Sequence, residues 1–168
     1  MQRIMIIGSP GSGKSTLAGA LGDRLNLPVV FMDKEVHWMP GWQERSGDEK
    51  ARIVAEIIAR DAWVFEGGHS RSYAARVARA DLLIWLDLPV WLRLWRVFRR
   101  TLRDLGTTRP DMQDDCPERL DMLPGFVGFI LRTRVTSRRR QRAVFDAAQC
   151  PKHHLKTPRA VDRLLKTL

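Results

Sequence analysis

The stretch Arg3-Ile-Met-Ile-Ile7-Gly8-Ser-Pro-Gly-Ser-Gly13-Lys14-Ser15-Thr16 decides the fold of this chain. A short apolar run ends at Gly8, and Leu17, Ala18, Leu21 and Leu25 then recur at helical spacing, so the segment reads as strand, loop and helix. The loop Gly8-Ser9-Pro10-Gly11-Ser12-Gly13-Lys14-Ser15 matches the pattern G-x-x-x-x-G-K-[ST] at every position. Its glycines let successive backbone N–H groups turn inward around an anion, and the helix N-terminus behind them adds partial positive charge. Gly8 to Thr16 are therefore expected to cradle the phosphates of ATP or a close relative. Lys14 would reach the β and γ phosphates, and the Ser15 hydroxyl would ligate Mg²⁺.

Working outward, Asn26-Leu-Pro28 ends the first helix and Val29 to Met32 reads as a second strand. Trp63 to Phe65 and Leu82 to Leu86 are further apolar runs, each followed by an acidic residue, and His154 to Lys156 is a weak last strand. Helical periods fill the intervals, from Glu49 to Arg60 and again from about Pro158. Strands separated by helices imply parallel pairing through right-handed crossovers. The expected fold is thus α/β: a three-layer α/β/α sandwich on a mostly parallel sheet of about five strands, formed by one domain over residues 1–168. Residues 34–60 read as a small insert on the acceptor side. Asp104 to Gly128, irregular and rich in proline and glycine between two Arg-rich helices, reads as a mobile lid.

Composition narrows the partners. The chain has 44% hydrophobic and 29% charged residues, and no apolar run approaches the roughly 20 residues of a membrane helix, so a cytoplasmic protein is expected. Cys116 and Cys150 are too few for a disulfide framework and lack the paired spacing of a zinc site. The net charge is +10, and Arg93 to Arg142 holds thirteen Arg, no Lys and six acidic residues, or +7 of that total. Guanidinium groups favour planar, forked recognition of phosphate oxygens, so the excess points to nucleotide and a small anionic acceptor. Any contact with DNA would be nonspecific, because no helix-turn-helix or other nucleic-acid motif is present.

Two carboxylates fall where an open α/β sheet presents residues to its ligand cleft: Glu66 after the third strand and Asp87 after the fourth. Either can join the Mg²⁺ shell. Glu66 is favoured because Gly67 and Gly68 follow it and allow close approach of a substrate, whereas Asp87 has an alternative role as cap of the helix after Pro89. Trp38 to Trp42 either stacks a base or packs a small insert onto the core, and Asp33 with Arg71 either holds an acceptor or serves a turn. His37, Tyr73 and the pair His153-His154 lack a motif and read as structural or surface residues.

The glycine loop, the Glu66-Gly67 pair and Leu86-Asp-Leu-Pro89 together resemble the adenylate kinase and shikimate kinase group of P-loop small-molecule kinases, over most of the chain. The resemblance implies that Glu66 helps hold Mg²⁺ and that arginines in an R-x-x-x-R pattern after the strand-four proline contact ATP; Arg96 and Arg100 occupy those positions. It implies further that Arg132, Arg134, Arg138 and Arg139 belong to the helix returning from the lid, whose arginines bind the transferring phosphoryl group. Catalysis would then rest on Lys14, Arg96, Arg100, Arg132 and Arg138.

A narrower resemblance is to the bacterial proteins labelled DNA topology modulation proteins. It is carried by Asp33, Trp38-x-Pro40-Gly41-Trp42, the Gly67-x-x-Ser70-Arg71 run, Arg109-Pro-Asp-Met112 and Cys116-Pro-Glu118. Glu66 departs from the expected Asp, keeping the charge on a longer arm. The leading expectation is an ATP-dependent phosphotransferase, with a nucleoside monophosphate as first acceptor; the rival is a nucleotide-gated DNA-binding regulator. A monomer or a homodimer would serve the first.

Overall fold

A computed structural model describes residues 1–168. Five parallel strands form the main sheet: β1 (Arg3–Gly8), β2 (Val29–Phe31), β5 (Trp63–Glu66), β6 (Leu82–Leu86) and β7 (Lys152–Leu155), in the order β2-β5-β1-β6-β7. A two-stranded antiparallel hairpin, β3 (Trp38–Met39) and β4 (Gln43–Glu44), stands apart from it. The alternation of side chains along each strand sorts the core into two layers. Met5, Ile7, Trp63, Phe65, Leu83 and Trp85 face α2 (Gly47–Ala59), α3 (Tyr73–Arg79) and the C-terminal end of α5 (Leu123–Ala147). Ile4, Ile6, Val64, Leu82 and Ile84 face α1 (Lys14–Leu25) and α6 (Pro158–Thr167). The three-layer α/β/α sandwich expected from the strand and helix alternation is what forms. No helix is long and apolar enough to cross a membrane.

Several boundaries differ from the sequence reading, each for a local reason. Helix α2 starts at Gly47, two residues before Glu49, because Ser46 accepts from the Glu49 N–H at 3.2 Å while the Glu49 carboxylate accepts from the Ser46 N–H at 2.9 Å. Such a capping box stabilises a helix start by about 1 kcal/mol. Strand β2 ends at Phe31, and Met32–His37 turns into one π-helical coil instead of extending. Strand β7 is shifted to Lys152–Leu155, where parallel pairing with β6 overrides its weak apolar pattern. The last part of the expected lid is helix: α5 begins at Leu123, with Pro124 in its first turn, where a missing N–H costs nothing and the fixed φ suits a helix. The irregular segment is therefore a strap over residues 104–122.

Helix α4 (Val90–Arg103) lies across the glycine loop. Its buried face carries Arg93, Val97 and Thr101, while Trp91, Trp95 and Phe98 point outward. At the C-terminal end of β5, α3 supplies a feature with no sequence signature. Arg76 is fully buried, donates at 2.9 Å to the Gly67 carbonyl and at 2.6 Å to the Phe65 carbonyl, and lies 4.1 Å over the Phe65 ring. Burial pulls its pKa down to about 10, with Tyr73 and Glu66 opposing the shift. The guanidinium thus clamps the turn at the end of β5. Replacing it by Met removes two charge-assisted hydrogen bonds from a dry site, and we expect a loss of about 2–4 kcal/mol. The check is the urea midpoint of Arg76→Met; an unchanged midpoint would mean the clamp contributes nothing.

Candidate active site

The glycine loop runs between the end of β1 and α4. Gly11 takes a left-handed φ of 76°, and a Cβ there would run into the Arg93 carbonyl of α4, so only glycine lets loop and helix meet this closely. Arg93 returns the contact by donating to the Pro10 carbonyl at 3.4 Å, and Arg96 donates to the Ser12 carbonyl at 3.2 Å. Lys14 opens α1 with its ammonium 3.5 Å from the Ser9 carbonyl. Residues 8–16 all line one cleft of about 1560 Å³ that opens over the C-terminal ends of the strands.

Glu66 sits at the base of that cleft. It is only 3% exposed, accepts a hydrogen bond from the Ser15 hydroxyl at 3.3 Å and has no ion-pair partner. Burial is the main cause that raises its pKa to about 7; Lys14 opposes the shift, and the carboxylates of Asp33 and Asp111 add to it. A buried carboxylate held near neutrality for want of a cation, beside a hydroxyl, suits a hard divalent ion that takes one or two protein oxygens and completes its shell from phosphate and water. Gly67 follows with φ 124°, and a side chain there would run into Met32, so only glycine lets the end of β5 pack this closely against the π-helical coil.

The structure brings together Lys14, Ser15, Glu66, Asp33, Trp38, Gly67, Gly68, Arg96 and Arg100 around this one cleft. It leaves six expected site residues outside: Arg71, Asp87, Arg132, Arg134, Arg138 and Arg139. Asp87 neither lines the cleft nor caps α4, whose cap position is Pro89 without a side-chain bond. Its carboxylate accepts from Arg138 at 3.0 Å and contacts His154 Nε2 at 3.0 Å. Burial raises the Asp87 pKa, but those two partners outweigh burial and leave it below the usual carboxylate value. Arg138 is therefore turned away from the phosphate loop, Arg132 is exposed on α5, and Arg71 is exposed beside the start of α2. The helical period decides this: of the charged residues on α5 only Arg140 reaches the cleft, on the same face as Thr133, Thr136 and Ser137.

Sequence reasoning also missed groups that converge here. His37 and Tyr73 line the cleft instead of serving only as structural or surface residues. The strap packs down on the hairpin: Trp42 N–H donates to Cys116 Sγ at 3.3 Å, Lys34 donates to the Pro110 carbonyl at 3.0 Å, and Met112 and Cys116 are buried. Glu118, also buried, pairs with Arg109 at 2.8 Å and Arg100 at 3.3 Å and accepts from Thr101 at 3.0 Å. The segment expected as a mobile lid is thus anchored at several points. Its charged composition hides two apolar anchors and a buried carboxylate that pins it to α4. The shared spacing of Arg109-Pro-Asp and Cys116-Pro-Glu was the only signal available.

The Glu66 environment has a measurable consequence in the ligand-free protein. Between its unfolded value of 4.5 and about 7, the folded state keeps a proton that the unfolded state has lost. Stability then falls as pH rises through that window, by on the order of 3 kcal/mol. Glu66→Gln should abolish this share of the decline, making the variant more stable than the parent at pH 8 and less different at pH 5. Urea midpoints of both proteins across that range are the check, and parallel curves would contradict the assignment.

No family model matches the chain. A cytidylate kinase of Methanothermobacter thermautotrophicus is 30% identical over 125 residues, covering 66% of this chain and 75% of that one. A shikimate kinase of Bradyrhizobium diazoefficiens is 31% identical over 119 residues, and a second from Blochmanniella floridana is 29% identical over 118. The match spans 58% and 64% of the lengths of those two shikimate kinases. Among solved structures, a shikimate kinase from Acinetobacter baumannii in complex with shikimate superposes with a TM-score of 0.59 over 99% of this chain and 90% of its own, at 20% identity, a likeness of fold. With the phosphate loop, the sheet order and the acidic end of β5 in place, the chain belongs to the P-loop small-molecule kinases of the adenylate kinase and shikimate kinase group.

Proposed function

We propose that the protein transfers the γ-phosphoryl group of MgATP to a small acceptor held between Glu66 and the β3–β4 hairpin. The observation that carries this reading is the continuity of the cleft. It runs from Gly8–Thr16, past Ser15 and Glu66, to Asp33, His37, Trp38 and Trp42, and its volume of about 1560 Å³ exceeds what one ligand needs. Donor and acceptor can lie in it together. The relatives named cytidylate kinase and shikimate kinase support a small phosphorylatable acceptor, anionic in either case, and a nucleoside monophosphate is the first class to test.

Phosphoryl transfer asks little covalent chemistry of the protein and much positioning and charge stabilisation. Lys14 and Arg96, both tied to the glycine loop, would face the developing charge on the transferring group, with Arg140 on the far wall. Arg100 would be drawn in with the strap through Glu118. Ser15 and Glu66 would hold a magnesium ion, which when bound neutralises charge on the phosphate oxygens. Asp33, exposed at the cleft wall, is placed to orient an acceptor hydroxyl or phosphate, and the edge-to-face pair Trp38–Trp42 at 5.4 Å offers a ring surface. The strap, docked on the hairpin, would exclude water once both substrates are bound.

Trp38, Trp42, Arg109 and Cys116, which carry the narrower resemblance to the DNA topology modulation proteins, lie at or beside the strap and hairpin. We read them as architecture of the acceptor site and not as a nucleic-acid surface.

A panel of nucleoside monophosphates and hydroxyl metabolites, assayed for ATP-dependent phosphorylation, tests the proposal; no turnover on any acceptor class would oppose it. With an acceptor in hand, Lys14→Ala should abolish turnover in a folded protein. Arg96→Lys, which preserves charge but not the forked geometry, should lower kcat/KM by about tenfold or more, or ~1.4 kcal/mol of transition-state stabilisation. Full activity in Arg96→Lys, or a DNA affinity that falls with that activity, would move this arginine out of the site.

A further inference from the structure

We propose that the protein carries a second phosphate-binding site behind the glycine loop, between the N-terminus of α4 and the C-terminal half of α5. A cavity of about 610 Å³ lies there, sharing only Ser9 with the cleft described above. Its walls carry Arg93, Arg134, Arg138, Arg139, Arg142 and Lys156 against a single carboxylate, Asp87. Six cations less one anion leave a formal charge of +5 around one concavity. Asp87 is already committed to Arg138 and His154. Arg134, Arg139 and Lys156 have no acidic partner, and the one for Arg142, Asp146, stands 4.0 Å away.

Crowding like charges around a hollow is unfavourable unless an anion occupies it. A second, independent feature points to the same hollow. Helix α4 is 14 residues long, begins at Val90, and has neither a capping side chain nor an acidic residue in its first turn. Its free N–H groups and the positive end of its dipole are therefore uncompensated where the cationic side chains gather, with Leu88, Pro89 and Val90 in the wall itself. Five of the six cations are guanidinium groups, whose forked donors match phosphate oxygens. The volume exceeds that of one phosphate and suits a diphosphate or a longer phosphorylated group.

This site does not rest on the kinase reading, and it reassigns Arg134, Arg138 and Arg139. It also abuts the loop it lies behind. Gln141 receives a hydrogen bond from Trp85 at 3.0 Å and reaches Ser9 Oγ at 3.5 Å, while Trp85 stacks on His154 at 4.0 Å. The phosphate can come from a soluble diphosphate or from the headgroup of an anionic phospholipid, and the experiment separates the two.

Full-length protein carrying Lys14→Ala, which weakens the P-loop site, is titrated calorimetrically with inorganic pyrophosphate at physiological salt. Saturable binding of one pyrophosphate per chain is expected. Adding Arg134→Ser, Arg139→Ser and Lys156→Ser should weaken it at least about tenfold. Adding Arg24→Ser, Arg60→Ser and Arg163→Ser, an equal loss of charge at exposed positions elsewhere, should not. In parallel, the same proteins are sedimented with phosphatidylcholine vesicles with and without phosphatidylglycerol. Pyrophosphate binding lost only in the pocket variant supports a soluble ligand; vesicle binding alone, lost only in that variant, supports a lipid phosphate. Absence of saturable binding in both arms, or equal weakening by the two triple substitutions, overturns the site.

Discussion

The carbonyl of Arg93 occupies the space that a side chain on Gly11 would need, and the rest of the site depends on that contact. A glycine loop alone is a flexible turn, costly to order around an anion. Here it is held from behind by β1 and from above by α4, with hydrogen bonds from Arg93 and Arg96 to two of its carbonyls. Those bonds occupy two loop carbonyls, and the Ser12 N–H is turned onto the Ser9 carbonyl at 3.2 Å, which holds the loop in the curled form that a phosphate requires. They also fix the helical phase of α4: once Arg93 and Val97 face the loop, Arg96 and Arg100 must flank it.

Electrostatics is organised around one uncompensated carboxylate. Glu66 is buried by the packing of β5 between β1 and β2, and of the positive groups that oppose its raised pKa Lys14 acts more strongly than Arg76. Arg76 is also buried, yet its guanidinium hydrogen bonds go to the carbonyls of Phe65 and Gly67, so it holds the turn and acts on the acid only through space. The two buried charges thus have different duties. One sets geometry, and the other leaves a deficit of positive charge at the place where a divalent cation and a phosphate would meet.

The hairpin end of the cleft is assembled from segments far apart in the chain. The β3–β4 hairpin is braced internally by Arg45 on the Trp38 carbonyl and by the Lys50–Glu44 ion pair, and the strap closes on it through Trp42 and Cys116. Glu118 links that strap to Arg100 of α4, so a change in strap position is a change in the charges over the phosphate loop. This is a direct mechanical route between the hairpin end of the cleft and its glycine-loop end.

Local chemistry made much of this readable in advance. Residues 3–25 encode a strand, a phosphate loop and a helix through apolar spacing and glycine position, and those signals are complete within the segment. The parallel sheet follows from the alternation of elements, and Glu66 from its place at a strand end. What the chain could not declare by itself are relations set by distant neighbours. Asp87 and Glu66 occupy equivalent strand ends, yet Arg138 and His154 claim the first while burial isolates the second. The α5 arginines look alike in sequence, but helical phase sends Arg140 to the cleft and Arg138 behind the loop. Met112 and Cys116 read as parts of a polar flap until the hairpin covers them. Residue type and spacing determined which chemistry this protein can hold, and tertiary packing, by choosing each charge's neighbours and its access to water, decided where that chemistry sits.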